Sequence, residues 1–170
     1  MVENNDKKWF ALYTKPRHEF KAALQLESEE ISYYLPVITR LKQWSDRKKK
    51  ITEPLLRSYI FIFADEKERY LSLQQLSIVR CIFDNGRPAA IPEWQIDNLR
   101  KFLNKEVDIV VHSGIVPGAK VKILDGPFAG VIGVIKREVK GRIIAINIDL
   151  LNRSVLAQIP KNTGFEIIKD

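Results

Sequence analysis

The segment running from Tyr59 to Phe63, YIFIF, constrains this chain most. Side chains alternate along a strand, so Tyr59, Phe61 and Phe63 take one face while Ile60 and Ile62 take the other. A strand with one wet face would carry polar residues at every second position. Here both faces need cover, so the strand belongs in a sheet with material on each side. Helices on both faces supply that cover, or one face serves as a docking surface for another protein.

Helices and further strands are legible around it. Trp9 to Tyr13 (WFALY) reads as a first strand. Pro16 suits the first turn of a helix, where its missing N–H is not needed, so Lys15 to His18 (KPRH) predicts a helix start. Phe20, Ala23, Leu24 and Glu27 follow at helical spacing. Ile31 to Leu35 predicts a second strand that ends at Pro36. Asp65 and Glu68 have capping-box spacing and open a helix reaching toward Gln75. A strand over Ile78 to Phe83, a turn at Asp84-Asn85-Gly86 and a helix opening near Pro92 with Ile96, Leu99 and Leu103 on its apolar stripe complete this half.

After Asn104 the texture changes. From Val131 to Ile148, nine of eighteen residues are Val or Ile, a density that favours pleated strands over helix. Lys140-Gly141 and Asn152-Arg153-Ser154 read as turns between short strands, the pattern of a small barrel. The expected class is therefore α+β in two domains. An antiparallel sheet flanked by helices occupies residues 1–103, a linker 104–117 and a small β-barrel 118–170.

Gly126, Gly130 and Gly133, in KVKILDGPFAGVIGVI, raise the question of a phosphate-cradling loop. Such a loop ends in Gly-Lys-Ser/Thr and leads into a helix, whereas Gly133 leads into Val134-Ile135-Lys136. A barrel corner fits better, with Gly126 allowing an unusual φ, Pro127 fixing the next residue and Phe128 buried as an anchor. Catalytic and metal chemistry is equally unsupported. Cys81 is the single cysteine and sits in an apolar strand, and His18 and His112 have no evident nucleophile or orienting carboxylate. No cofactor or metal is expected. The start, MVENNDKKW, lacks the apolar centre of a signal peptide and no apolar run reaches the roughly 20 residues of a membrane span, so a soluble cytoplasmic protein is expected.

Charge is concentrated. Six of the eleven residues from Arg40 to Lys50 are Lys or Arg with Asp46 the only acid, so this window holds +5 of the net +7. Such a patch attracts phosphate backbones through counterion release, and it also fits a solvated hairpin tip.

WFALYTKPRHE, YYLPV, QWSDRKKK, EPLLRSYIF and the residues around RPAAIP resemble the N-terminal domain of the NusG-type transcription elongation factors. PGAKVKILDGPFAGVIGVI resembles their KOW motif. The likeness covers nearly the whole chain and is nearest to the specialised RfaH-like and UpxY-like antiterminators. It implies an NGN-like N-terminal domain that grips the clamp helices of the largest RNA polymerase subunit, followed by an SH3-like KOW barrel. On this sequence, the resemblance implies polymerase contacts at Tyr13, Leu56, Tyr59 and Phe61. Lys15, Arg17, His18 and Lys21 fall where RfaH-like members approach non-template single-stranded DNA, and Arg47, Lys48 and Lys49 lie on a hairpin able to touch nucleic acid. Gly126, Pro127, Phe128, Gly130 and Gly133 form the KOW turn, and the barrel's implied partner is ribosomal.

The implied activity is non-enzymatic antitermination, on capsular or exopolysaccharide operons for UpxY-like members. A KOW-type RNA- or ribosome-binding protein is the alternative. Leu56-Arg57 stands where the family often has Phe-Pro, Glu30 where it has glycine, and Leu151-Asn152-Arg153 where general members have Phe-Gly-Arg. Some RfaH-like members hold the second domain as a helical hairpin, but the Val/Ile density here predicts strands.

Overall fold

The structure is a computed structural model that describes residues 6–103, 108–138 and 141–169. Residues 104–107 of the expected linker and Lys140 of the expected turn lie outside the described residues. The chain divides into two compact units, residues 1–93 and 94–170.

The first unit begins with β1 (Lys8–Thr14), α1 (Glu19–Ser28), β2 (Ser32–Tyr34), β3 (Val37–Gln43), β4 (Lys48–Pro54), β5 (Tyr59–Ala64) and α2 (Glu66–Leu73). It continues through β6 (Ile78–Cys81), β7 (Phe83–Asp84), β8 (Arg87–Pro88) and β9 (Ala90–Ile91). Its main sheet has the order β2-β5-β1-β6, with β9 also pairing β1. YIFIF is thus an interior strand, as its two apolar faces require. Phe10, Leu12, Ile60, Ile62 and Cys81 pack with Ala22, Ala23 and Leu26 of α1 and with Leu71 and Leu73 of α2.

Asp65 caps α2, accepting from the Glu68 N–H at 2.8 Å while the Glu68 carboxylate accepts from the Asp65 N–H at 2.9 Å. Both orphan donors of that first turn are satisfied. The turn at Asn85-Gly86 has φ of 49° and 75° and joins β7 to β8. Two expectations need correction here. The first helix starts at Glu19, not at Pro16, because Arg17 has φ 62°, which no right-handed helix accommodates. The core-facing side of α1 is Glu19, Ala22, Ala23 and Leu26, and it leaves Phe20 and Leu24 exposed.

The second unit holds α3 (Glu93–Leu103), β10 (Ile109–Ser113), β11 (Lys120–Ile123), β12 (Ile132–Glu138), β13 (Gly141–Ile148), a 3₁₀ turn (Asp149–Leu151), β14 (Arg153–Ile159) and β15 (Phe165–Ile167). The strands form one antiparallel sheet in the order β10-β14-β13-β12-β11-β15. The Val/Ile-rich segment is therefore strand, with no α-helix among the described residues of 118–165. Residues 109–113, expected in the linker, are β10, and His112 lies opposite Ser154 within it. Of the expected turn Asn152-Arg153-Ser154 only Asn152 lies outside strand, at φ 51° after the 3₁₀ turn, while Arg153 and Ser154 already belong to β14.

α3 was expected to close the first domain, yet it belongs to the second unit. The Asn98 amide donates to the Ile132 carbonyl and accepts from the Ile132 N–H at 2.7 Å, completing that residue's pairing as a neighbouring strand would. Phe102 stacks on Phe128 at 4.9 Å between ring centroids. Phe128 is buried in the corner between β11 and β12, where Gly126 has φ 78° and Gly130 φ 88°. Gly133 leads into strand, and β13 runs so close that a Cβ there would sit 2.5 Å from the Ala145 carbonyl oxygen.

Gly133→Ala should therefore lower stability by about 1–3 kcal/mol, through overpacking against backbone that cannot move aside. Chemical denaturation checks it, and an unchanged midpoint would contradict the close approach. Burial pushes the Cys81 thiol above its ordinary pKa, and the nearby Arg69 guanidinium draws it only partly back. A raised folded value adds stability that is intact below the unfolded pKa and is lost as pH rises through the folded one. Unfolding free energy measured into the alkaline range should fall less steeply for Cys81→Ala than for wild type.

Candidate functional site

The antiparallel register places Tyr13 opposite Tyr59, Ala11 opposite Phe61 and Trp9 opposite Phe63. Directly opposed residues share a face, so aromatic side chains line the side of the sheet away from α1. Trp9 and Phe63 lie 5.3 Å apart, Tyr13 and Tyr59 meet edge to face at 5.5 Å, and Tyr34 of β2 stacks on Phe61 at 6.4 Å. Arg80 of β6, opposite Tyr13 in the ladder, sets its guanidinium 5.6 Å from the Tyr13 ring centroid.

The expected docking residues divide by accessibility. Tyr13 and Tyr59 are half-buried, whereas Leu56 is 3% exposed and Phe61 0%. Phe61 is on the interior strand between β2 and β1, where the small Ala11 opposite leaves room for its ring and Tyr34 stacks on it. It builds the face and is not open on it. Tyr34 and Phe63 are half-buried like Tyr13 and Tyr59, and the last two form one edge with the exposed Arg80.

That edge runs straight into the basic turn before α1. The Thr14 N–H donates to the Ser58 carbonyl at 2.8 Å, and the Ser58 N–H donates to the buried Glu19 carboxylate at 2.8 Å. These bonds tie the residue before Tyr59 to the residue after Tyr13 and to the first turn of α1. The Lys15 N–H donates to the Ser77 carbonyl at 2.9 Å, and His18 Nδ1 lies 3.1 Å from the Ser77 hydroxyl. His18 is thus half-buried and structural in its contact, while Lys15, Arg17 and Lys21 are exposed. Sequence reasoning missed Arg80. Its signal was alternation in Ile78-Val-Arg-Cys81, which places one cation on the face opposite Cys81.

The other basic set lies elsewhere. β3 and β4 form a two-stranded sheet of their own, with Lys42 directly opposite Lys49 and Gln43 opposite Lys48. Arg47, Lys48 and Lys49 are all exposed, and so is Trp44 at the turn. Like charges opposed across a ladder weaken it. Glu53 offsets part of this, 3.5 Å from Arg40 and 3.4 Å from Lys42.

Gly126, Pro127, Phe128, Gly130 and Gly133 make the β11–β12 corner and the strand that follows, a shape that offers no helix N-terminus to a phosphate. Among the described residues no three His, Cys, Asp or Glu side chains come together to hold a metal ion. Among the same residues no helix is long and apolar enough to cross a membrane.

Comparison with solved structures finds a chain described as "Domain interaction in Thermotoga maritima NusG", 17% identical, covering 96% of this chain and 93% of that one with a TM-score of 0.43. Another, described as "Crystal Structure of MjSpt4:Spt5 complex conformation A", is 16% identical and covers 94% of this chain and 97% of that one, with a TM-score of 0.34. Residues 7–100 match the family described as "NusG: Transcription termination factor nusG". That match takes in the whole first sheet, the basic turn, the hairpin and most of α3, more than half of the 170 residues, and on it the chain belongs to the NusG family of transcription factors.

Proposed function

We propose that this chain is a specialised antitermination and elongation factor of the RfaH-like or UpxY-like kind, serving long polysaccharide operons. Family membership supplies the class, a non-enzymatic transcription factor. The operon class rests on the resemblance, and the observation that carries the docking reading is the continuity of the Tyr13–Tyr59–Arg80 edge with Lys15, Arg17 and Lys21. An aromatic docking edge beside a cationic turn suits a protein that holds RNA polymerase and the adjacent non-template strand together. Aromatic and arginine side chains dominate binding energy at protein interfaces, and basic ones track phosphates.

In this reading the first unit is the NGN-like domain and the sheet from β10 onward is the KOW barrel, and Phe61 shapes the docking face from within. The clamp helices of the largest polymerase subunit occupy that face. Binding that favours the elongating state over the paused one by about 1–3 kcal/mol suffices to suppress pausing and termination. The KOW corner at Gly126–Gly133 shapes a barrel that takes a second, ribosomal partner.

Tyr13 and Tyr59 are the residues to change, because truncating the buried Phe61 would damage the core. Capture of purified RNA polymerase by Tyr13→Ser/Tyr59→Ser should weaken by about 30-fold, the loss of roughly 2 kcal/mol expected for one hot spot. Equal capture by wild type and variant would remove the docking edge, and capture by neither would favour the RNA- or ribosome-binding alternative. For Lys15→Ala/Arg17→Ala/Lys21→Ala, the slope of log affinity against log salt on single-stranded DNA should shrink by about 2, at roughly 0.7 for each phosphate no longer neutralised. An unchanged slope refutes the assignment of these cations to the strand.

A further inference from the structure

The β3–β4 hairpin has a feature that its charge count does not explain. Alternation puts Arg40 and Lys42 of β3 on the same face as Lys49, which lies opposite Lys42. The Trp44 N–H donates to the Arg47 carbonyl at 2.7 Å, closing the turn with these two residues across from one another. Lys49 Nζ lies 5.6 Å from the centroid of the Trp44 ring, which fixes that ring to the same face. A tryptophan 52% exposed therefore shares its face with four cations, of which Arg40 and Lys42 also meet Glu53. Among the described residues no carboxylate pairs with Arg47 or Lys49.

Folding alone gives no reason for this arrangement. The ring does not fill a core, and although Glu53 meets Lys42 and Trp44 meets Lys49, no carboxylate among the described residues offsets the charge of Arg47 and Lys49. A polyanion offsets that charge, and the exposed indole asks that the polyanion also offer a flat apolar surface. Single-stranded nucleic acid has both properties. In a duplex the base faces are stacked against each other and closed to the ring, so a duplex would use the cations and leave Trp44 idle.

We propose that this hairpin face is a binding site for single-stranded nucleic acid, with Trp44 stacking on one base and Arg40, Lys42, Arg47 and Lys49 following the phosphates. Lys48 points to the opposite face of the ladder and takes no part. The inference rests on the reading of the chain as a factor that works on nucleic acid, but not on the polymerase-docking edge.

The test measures fluorescence anisotropy of the full chain with labelled oligothymidylate, oligouridylate and a DNA duplex over a salt series. Wild type should prefer either single strand to the duplex, and the tighter of the two identifies the sugar. Trp44→Ala should weaken single-strand binding by about 5- to 150-fold with an unchanged salt slope, and Trp44→Phe should retain most of the affinity. Lys42→Ala/Lys49→Ala should instead reduce the slope by about 1.4. The same Trp44 effect should appear in the Lys15→Ala/Arg17→Ala/Lys21→Ala background, which removes the other cationic set. Duplex binding as tight as single-strand binding, or Trp44→Ala binding like wild type, overturns the proposal. Circular dichroism of each variant separates loss of the site from loss of the fold. Wild type that captures no polymerase yet binds single strands through Trp44 would refute the docking reading and uphold this one.

Discussion

The pairing of β1 with β5 sorts the large side chains of these two strands between the two faces of the main sheet. Its register, from Lys8 opposite Ala64 to Tyr13 opposite Tyr59, sends Phe10, Leu12, Ile60 and Ile62 toward α1 and α2 and sends Trp9, Tyr13, Tyr59, Phe61 and Phe63 to the other side. A slip of one residue would exchange the two sets. Burying each such side chain contributes about 1.5–3 kcal/mol, so the slipped ladder loses far more than any single hydrogen bond could restore. The aliphatic face is shaped for helices and the aromatic one for flat contacts, so the register that builds the core also creates the candidate docking edge.

What makes that edge usable is the bonding at its end. Ser58, at φ 66°, turns the chain into β5, and Glu19 and Thr14 hold its backbone N–H and carbonyl. Glu19 is buried, a costly placement for a carboxyl group without hydrogen bonds, and the Ser58 N–H donates to its Oε1. The first turn of α1 is thereby fixed to the strand end that presents Tyr59. Ser77 does the same from the other side through Lys15 and His18. Cationic turn and aromatic pair are held in one rigid corner, so that two kinds of contact can be made without ordering a loop first.

Much of this was readable from local pattern. The two-faced strand, the Asp65–Glu68 cap and the Asn85-Gly86 turn are set by neighbours a few residues away, and sequence carries such information directly. The start of α1 was misread because Pro16 fits a helix N-terminus and nothing local announces that Arg17 turns left-handed. The resemblance implies a contact at Phe61, and neither resemblance nor alternation tells what covers that side of the sheet. β10 escaped notice because its partner, β14, begins forty residues later, and five residues of Ile-Val-Val-His-Ser with mixed exposure carry little periodicity alone. The change of texture after Asn104 sets α3 with the first domain, while its Asn98 and Phe102 contacts are made to residues more than twenty positions downstream.

The location of the charge follows from the same physics. A segment carrying +5 over eleven residues repels itself, and incorporated into the main sheet it would burden the ladder on which both faces depend. As a separate two-stranded sheet the hairpin confines that repulsion to its own seven-residue strands. The core then keeps its stability whether or not the hairpin is neutralised, and the hairpin gains order when an anion lies along it. A single exposed tryptophan converts such a charged arm from one that holds any polyanion into one that distinguishes open bases from closed ones, because stacking responds to base exposure and phosphate contact does not.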